Sequence, residues 1–258
     1  MTSIPLPLTD VHAHLCDAAF DDDLEAVMDR ACAAGIGSVI AVGEDLADAR
    51  RNIRLAAAHP MIKAAAGLYP THLDMEQARE MAEFIRDHRR DLVAIGEVGL
   101  DYWKVKDSDS RLLQKKIFRM FISLSKELSL PLNIHSRSAG RHAVNLLIEC
   151  GATQVHLHAF DGKFGAAIPA VEAGYCFSIP PSVVRSRQKQ KLVKQLPLSC
   201  LLVESDSPVL GPFPGERNEP ANISAVIEAI SRIKGIAPRI VTEAVVENTI
   251  RLYGLGYI

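Results

Sequence analysis

The chain has 258 residues and is 48% hydrophobic, enough for one substantial core and close to the length of an α/β barrel built as a single domain. Its 29 lysines and arginines face 31 acids, a formal charge of −2, which excludes steering to nucleic acid by a global basic field and leaves any polyanion contact to a local patch. Five scattered cysteines without a CxxC pair exclude a disulfide framework and a zinc ribbon, and no apolar run nears the roughly 18 residues of a membrane span.

The opening MTSIPLPLTD lacks the basic start and long apolar centre of a signal peptide, so a cytoplasmic monomer is expected. A short segment around 8–11 predicts the first strand, and apolar spacing of three and four over 22–34 predicts the first helix. Further strands are predicted at 36–42, 63–67, 92–95, 130–134, 153–157, 174–179 and 200–203. Helical patterns fill 45–58, 75–88, 110–128, 138–149, 163–173 and 187–195 between them. Strand–helix alternation implies a parallel sheet, because parallel neighbours need a crossover. Eight such units at this length predict an α/β fold, a closed (β/α)₈ TIM barrel over 1–258 as a single domain, with an open doubly wound sheet as the alternative.

Reactive groups in such barrels sit at the C-terminal ends of the strands. Asp10-Val11-His12-Ala13-His14 sets two imidazoles two residues apart, so a strand projects both from one face toward a shared cation. Glu97, between Gly96 and Val98-Gly99, puts a carboxylate after the strand at 92–95, in position to bridge ions, with Asp101 behind it. His135 ends the strand over 130–134, and Arg137 beside it offers a fork for an anionic substrate. Of His156 and His158, the second is nearer the strand end and is the candidate ligand, while His156 is read as structural. Leu202-Val203-Glu204-Ser205-Asp206 closes the series, with Asp206 as ligand and proton acceptor and Glu204 as a hydrogen-bonding neighbour.

Four imidazoles and two carboxylates exceed one catalytic zinc, which takes about three protein ligands. Two divalent ions are therefore expected, held by His12, His14, Glu97, His135, His158 and Asp206. Ions about 3.5–4 Å apart acidify a water between them and stabilise entering and leaving oxygens in hydrolysis. Imidazole and carboxylate without thiolate suit zinc, manganese, magnesium, nickel or iron and do not choose among them.

The motifs DVHAHL, GEVGLDY, NIHSRS, LHAF and ESDSP, with a later Arg217-Asn218-Glu219-Pro220, follow one another as in the TatD family of metal-dependent deoxyribonucleases. The chain resembles that family from about residue 9 to about 253, and IHSRSAGR, LHAFDG and RSRQKQKLVKQLPL look closest to a vertebrate subgroup of it. The resemblance implies His12, His14, Glu97 and Asp206 around one metal, and Glu97, His135 and His158 around the second. It also implies DNA as substrate, single-stranded or at 3′ ends, cut as a 3′-to-5′ exonuclease, with Glu97 and Asp206 catalytic and Arg137, Tyr69 and His72 near the substrate. Tyr69 stands where many relatives carry a histidine before the proline, and Ala159 and Asp161 where many carry Cys and Thr.

The run from Arg185 to Lys191, with Lys194, supplies the local positive charge the whole chain lacks and is placed to reach a phosphate backbone or simply to face water. Trp103 either stacks on a base or packs. The competing functions are hydrolysis of a small amide, lactone or phosphate ester, and a non-enzymatic barrel that binds a partner and keeps its metals as a staple. No strand offers a lysine for a carboxylated bridge, and Glu97 takes that place, which weighs against the relatives that need one.

Overall fold

The computed structural model describes residues 7–255; the first six residues of MTSIPLPLTD lie outside it. Eight strands, β1 (Leu8–Ala13), β2 (Ile36–Ala41), β3 (Ile62–Ala66), β4 (Leu92–Gly99), β5 (Leu132–His135), β6 (Val155–Leu157), β7 (Cys176–Ile179) and β8 (Leu201–Val203), pair in sequence order. Every pairing is parallel. The last edge meets the first: the Asp206 amide donates to the His12 carbonyl (2.9 Å) and the His14 amide to the Ser207 carbonyl (2.8 Å). The expected TIM barrel forms, and the open sheet does not.

Helices α1 (Leu24–Ala33), α2 (Leu46–Ala58), α3 (Met75–Asp87), α4 (Ser108–Leu128), α5 (Gly140–Glu149), α6 (Phe164–Glu172) and α7 (Arg187–Gln195) cross between strands. Two more, α8 (Ile223–Lys234) and α9 (Pro238–Tyr253), follow β8. Several start on side chains that accept orphan amides: Asp45 for α2, Asp74 for α3, Asp107 for α4 and Ser186 for α7. No helix among the described residues is long and apolar enough to cross a membrane, and all five cysteines are free.

Strand alternation divides the core in two. Val39 and Ala41, Ala64 and Ala66, Leu132 and Ile134, Val155 and Leu157, and Leu201 and Val203 belong to the large apolar cluster shared with the helices. Their neighbours Ile40, Ala65, Ala94, Cys176 and Leu202 form a smaller cluster inside the barrel, closed by Leu252 and Tyr253 of α9. The same alternation turns Asn133, His135, His156 and Ser178 into the barrel interior. Higher up, therefore, the interior changes from apolar to polar.

Two strands run longer than their apolar runs predicted. β1 continues to Ala13, so His12 lies within it, and β4 continues to Gly99, so Glu97 lies inside the strand and not after it. The pairing of β4 with β5 shifts register between Ile95 and Val98, and this irregularity aims Glu97 inward although its neighbours are Gly96 and Val98. The glycines on either side of Glu97 let neighbouring backbone approach closely. A Cβ on Gly99, whose φ is +147°, would lie 2.0 Å from the His135 carbonyl oxygen, and one on Gly96 would lie 2.7 Å from the Asn133 carbonyl oxygen.

Candidate metal centre

The barrel interior delivers Glu97, 1% exposed, into the middle of four imidazoles. Its two oxygens face different pairs. Oε2 lies 3.3 Å from His14 Nε2 and 3.7 Å from His12 Nε2, while Oε1 lies 2.6 Å from His135 Nδ1 and 3.0 Å from His158 Nε2. Within each pair the ring nitrogens approach one another, His12 Nε2 to His14 Nε2 at 3.3 Å and His158 Nε2 to His135 Nδ1 at 3.4 Å. Two nitrogens on a tetrahedral ion with bonds of 2.0–2.1 Å stand about 3.4 Å apart. Asp206 Oδ1 completes the first group at 3.5 Å from His12 Nε2 and 3.7 Å from His14 Nε2. The groups His12–His14–Glu97 and Glu97–His135–His158 each have the compactness a cation needs, and the donor chemistry fits a divalent ion with nitrogen and oxygen ligands.

Hydrogen bonds from behind orient the rings. Asn133 donates from Nδ2 to the Val11 carbonyl (3.0 Å), which turns its Oδ1 toward His12 Nδ1 at 2.8 Å. His12 therefore carries its proton on Nδ1 and presents a lone pair from Nε2. Asp101 Oδ2, 3.1 Å from His135 Nε2, does the same for His135 and leaves Nδ1 facing Glu97. Glu204 stands 3.5 Å behind His158 Nδ1 while accepting from the Ala159 amide (2.8 Å) and the Ser178 hydroxyl. His156 is structural in geometry, buried and held between Tyr253 Oη (2.7 Å) and the Ser178 hydroxyl.

Electrostatics follow from this crowding. Burial would raise the Glu97 carboxyl, but the His158 and His135 rings hold it well below the usual carboxylate range. Burial, helped by the His158 ring stacked 3.9 Å away, keeps His12 well below the usual histidine range. For His14 the burial effect is reversed by Glu97, and its pKa rises to about 9. Asp206 is pushed up to about 6 by burial, against the pull of His158 and His14. Asp206 and Ala159 both hold left-handed backbone, φ 53° and 41°, the kind of local strain that gathers at functional sites.

A cavity of about 380 Å³ opens over this cluster, and Tyr69 and Arg137 line it. The Tyr69 hydroxyl stands 3.5 Å from His135 Nε2, and burial raises its pKa. His72 is not among the lining residues; its amide donates to the Tyr69 carbonyl (2.9 Å), and it supports that loop from behind. Trp103 does not pack into the core. It is 46% exposed, with the Arg137 guanidinium 3.9 Å over its ring. Within the basic run, Lys189 enters the cavity and donates to the Ala159 carbonyl at 3.1 Å.

Three residues of this region, Asn133, Asp10 and Glu44, had no role assigned from sequence, and a fourth, Lys189, had none of its own. Asn133 and Asp10 sit two positions before His135 and His12, so the period of two that paired His12 with His14 would have found both. Asp10 accepts the Ser205 amide at 2.8 Å, tying β1 to the segment after β8, and burial lifts its pKa to about 8. Glu44, which lines the cavity, follows β2 as Glu97 was thought to follow β4. Lys189 was read only as part of a run, because its reach depends on where α7 starts.

Comparison with known proteins identifies the family. The family model for TatD-related DNase matches residues 9–254. The human protein named deoxyribonuclease TATDN3 is 40% identical, with 98% of this chain and 97% of the relative covered, which places the vertebrate resemblance where the motifs pointed. A Bacillus subtilis protein named as an uncharacterized metal-dependent hydrolase is 34% identical over 96% of this chain and its own full length. Among solved structures, a TatD homologue from Escherichia coli superposes with a TM-score of 0.89 at 25% identity, covering 96% of this chain and 98% of that one. With its motifs in family order, its barrel shared and its length matched nearly end to end, this chain belongs to the TatD-related DNase family of metal-dependent hydrolases.

Proposed function

We propose that the whole chain acts as one monomeric catalytic barrel that hydrolyses DNA phosphodiesters with two divalent ions, working from the 3′ end of single strands. The observation that carries this reading is the division of Glu97, one oxygen for His12 and His14 and the other for His135 and His158. Such ions supply charge neutralisation at the phosphate and acidify water. Asp206, buried beside the first pair, orients the attacking water and accepts its proton. Arg137, exposed and without a carboxylate partner among the described residues, holds phosphate oxygens through its fork while Trp103 steadies its plane. Asp101 and Asn133 keep the lone pairs of His135 and His12 pointed inward, and the Glu204 carboxylate stands 3.5 Å behind His158.

The test is hydrolysis of single-stranded oligonucleotides labelled at either end, with added Mg²⁺ or Mn²⁺. Ladders shortening from the 3′ end are expected, and Asp206→Asn should lower kcat by roughly 10²-fold or more. Near-normal turnover by Asp206→Asn, or rapid cleavage of small esters with DNA untouched, overturns the assignment.

A further inference from the structure

The cavity mouth is electrically divided. The loops after β1, β2 and β3, residues 14–23, 42–45 and 67–74, carry seven acids and no lysine or arginine. Arginines from elsewhere pair with two of these acids, Arg51 with Asp21, and Arg30 and Arg217 with Asp23, and three more, Asp17, Asp45 and Asp74, accept backbone amides at the helix starts that follow. Across the mouth, the loops after β4 to β7 supply Lys104, Lys106, Arg137, Lys163 and Arg185, and Lys189 joins them from α7. Their own acids are engaged: Asp101 with His135, Asp107 on the Ser110 amide and Asp161 on the Ser138 amide.

Glu44 is the acid of the first sector that enters the cavity beyond the metal ligands. Its side chain is exposed there and makes no hydrogen bond or ion pair among the described residues. Its backbone is fixed, the amide donating to Asp48 Oδ2 (2.9 Å) and the carbonyl accepting the Tyr69 amide (2.8 Å). A carboxylate in this position accepts a hydrogen bond from a hydroxyl and repels a phosphate.

We propose that Glu44 selects strand ends, a reading that rests on the proposed DNA hydrolysis. The backbone lies over the cationic sector, the scissile phosphate sits at the metal centre, and the terminal nucleoside crosses toward β2, where Glu44 accepts its free 3′-hydroxyl. A strand that continued past this point would bring a phosphate against Glu44 and the acidic loops behind it. Exonucleolytic cutting then follows from charge placement and needs no physical plug.

Wild type and Glu44→Gln, both metal-loaded, are compared on oligonucleotides ending in a 3′-hydroxyl or a 3′-phosphate, with kcat/KM measured for each. Wild type should favour the hydroxyl end by roughly a hundredfold or more at low salt, the repulsion of like charges about 5 Å apart at an effective dielectric of 20. Glu44→Gln should reduce that ratio several-fold. If Glu44→Gln does not fold, the wild-type ratio alone decides: it should shrink between about 0.05 M and about 0.5 M salt, as screening shortens the range of the repulsion. A ratio unchanged by the substitution, or by salt, overturns the inference. So does loss of bound metal in Glu44→Gln by elemental analysis, which would assign Glu44 to the metal centre instead. Wild type that cleaves no DNA at all removes the underlying function, whereas equal cleavage of both ends removes only the role of Glu44.

Discussion

The ligand role proposed for His12 rests on hydrogen bonds made behind the ring. Its Nδ1 proton is committed to Asn133, burial keeps the ring neutral, and the Nε2 lone pair is left facing His14, Glu97 and Asp206. Removing the amide oxygen with Asn133→Ala should therefore weaken metal binding by about 10–100-fold, the usual loss when the hydrogen-bond partner behind a ligating histidine is removed. Titration of the metal-free protein with Zn²⁺ or Mn²⁺ measures this, and unchanged affinity would sink the role given to Asn133. At this scale the sequence was most legible where residue type and period coincided: His12, His14, His135, His158 and Asp206 all project near one carboxylate. It was least legible for Glu44 and Lys189, whose significance comes from a cavity formed by loops distant in sequence.

At the scale of elements, the pairing of β4 with β5 at Gly99 and His135 is the tightest joint in the site. Gly99→Ala would place a methyl 2.0 Å from the His135 carbonyl oxygen, in a backbone conformation that L side chains rarely adopt. The strands must separate, so the substitution should cost more than about 2 kcal/mol of stability and displace His135 from Glu97. Urea unfolding and metal stoichiometry report the two effects separately. By contrast, Asp107→Ala removes only the acceptor for the Ser110 amide at the start of α4 and should cost about 1 kcal/mol with turnover preserved. Loss of activity there would mean that α4 positions the site more directly than its cap suggests. Helix positions were readable from apolar spacing, but the extension of β4 to Gly99 was not. Polar and glycine residues at 96–99 resemble a turn until neighbouring strands on both sides supply hydrogen bonds.

For the molecule as a whole, four histidines converge on one buried carboxylate, and metal ions that bind this folded arrangement and not the unfolded chain must stabilise it. Stripping with a chelator should lower the melting temperature and abolish turnover together. Stabilisation of about 2.7 kcal/mol is expected when free metal stands at 100 times its dissociation constant. Scanning calorimetry across a metal titration tests this, and a melting temperature indifferent to metal would leave the centre without a bound ion. The amino-acid sequence by itself determined the barrel, because eight apolar runs alternating with helical periods admit few closed parallel arrangements, and it determined the types of residue at the strand ends. Tertiary structure alone decided which oxygen of Glu97 faces which histidine pair, which nitrogen of each ring is free, and that Glu44 and Lys189 enter the same cavity. Those features depend on distances between residues up to two hundred positions apart, and local periodicity carries no information about such distances until the barrel closes.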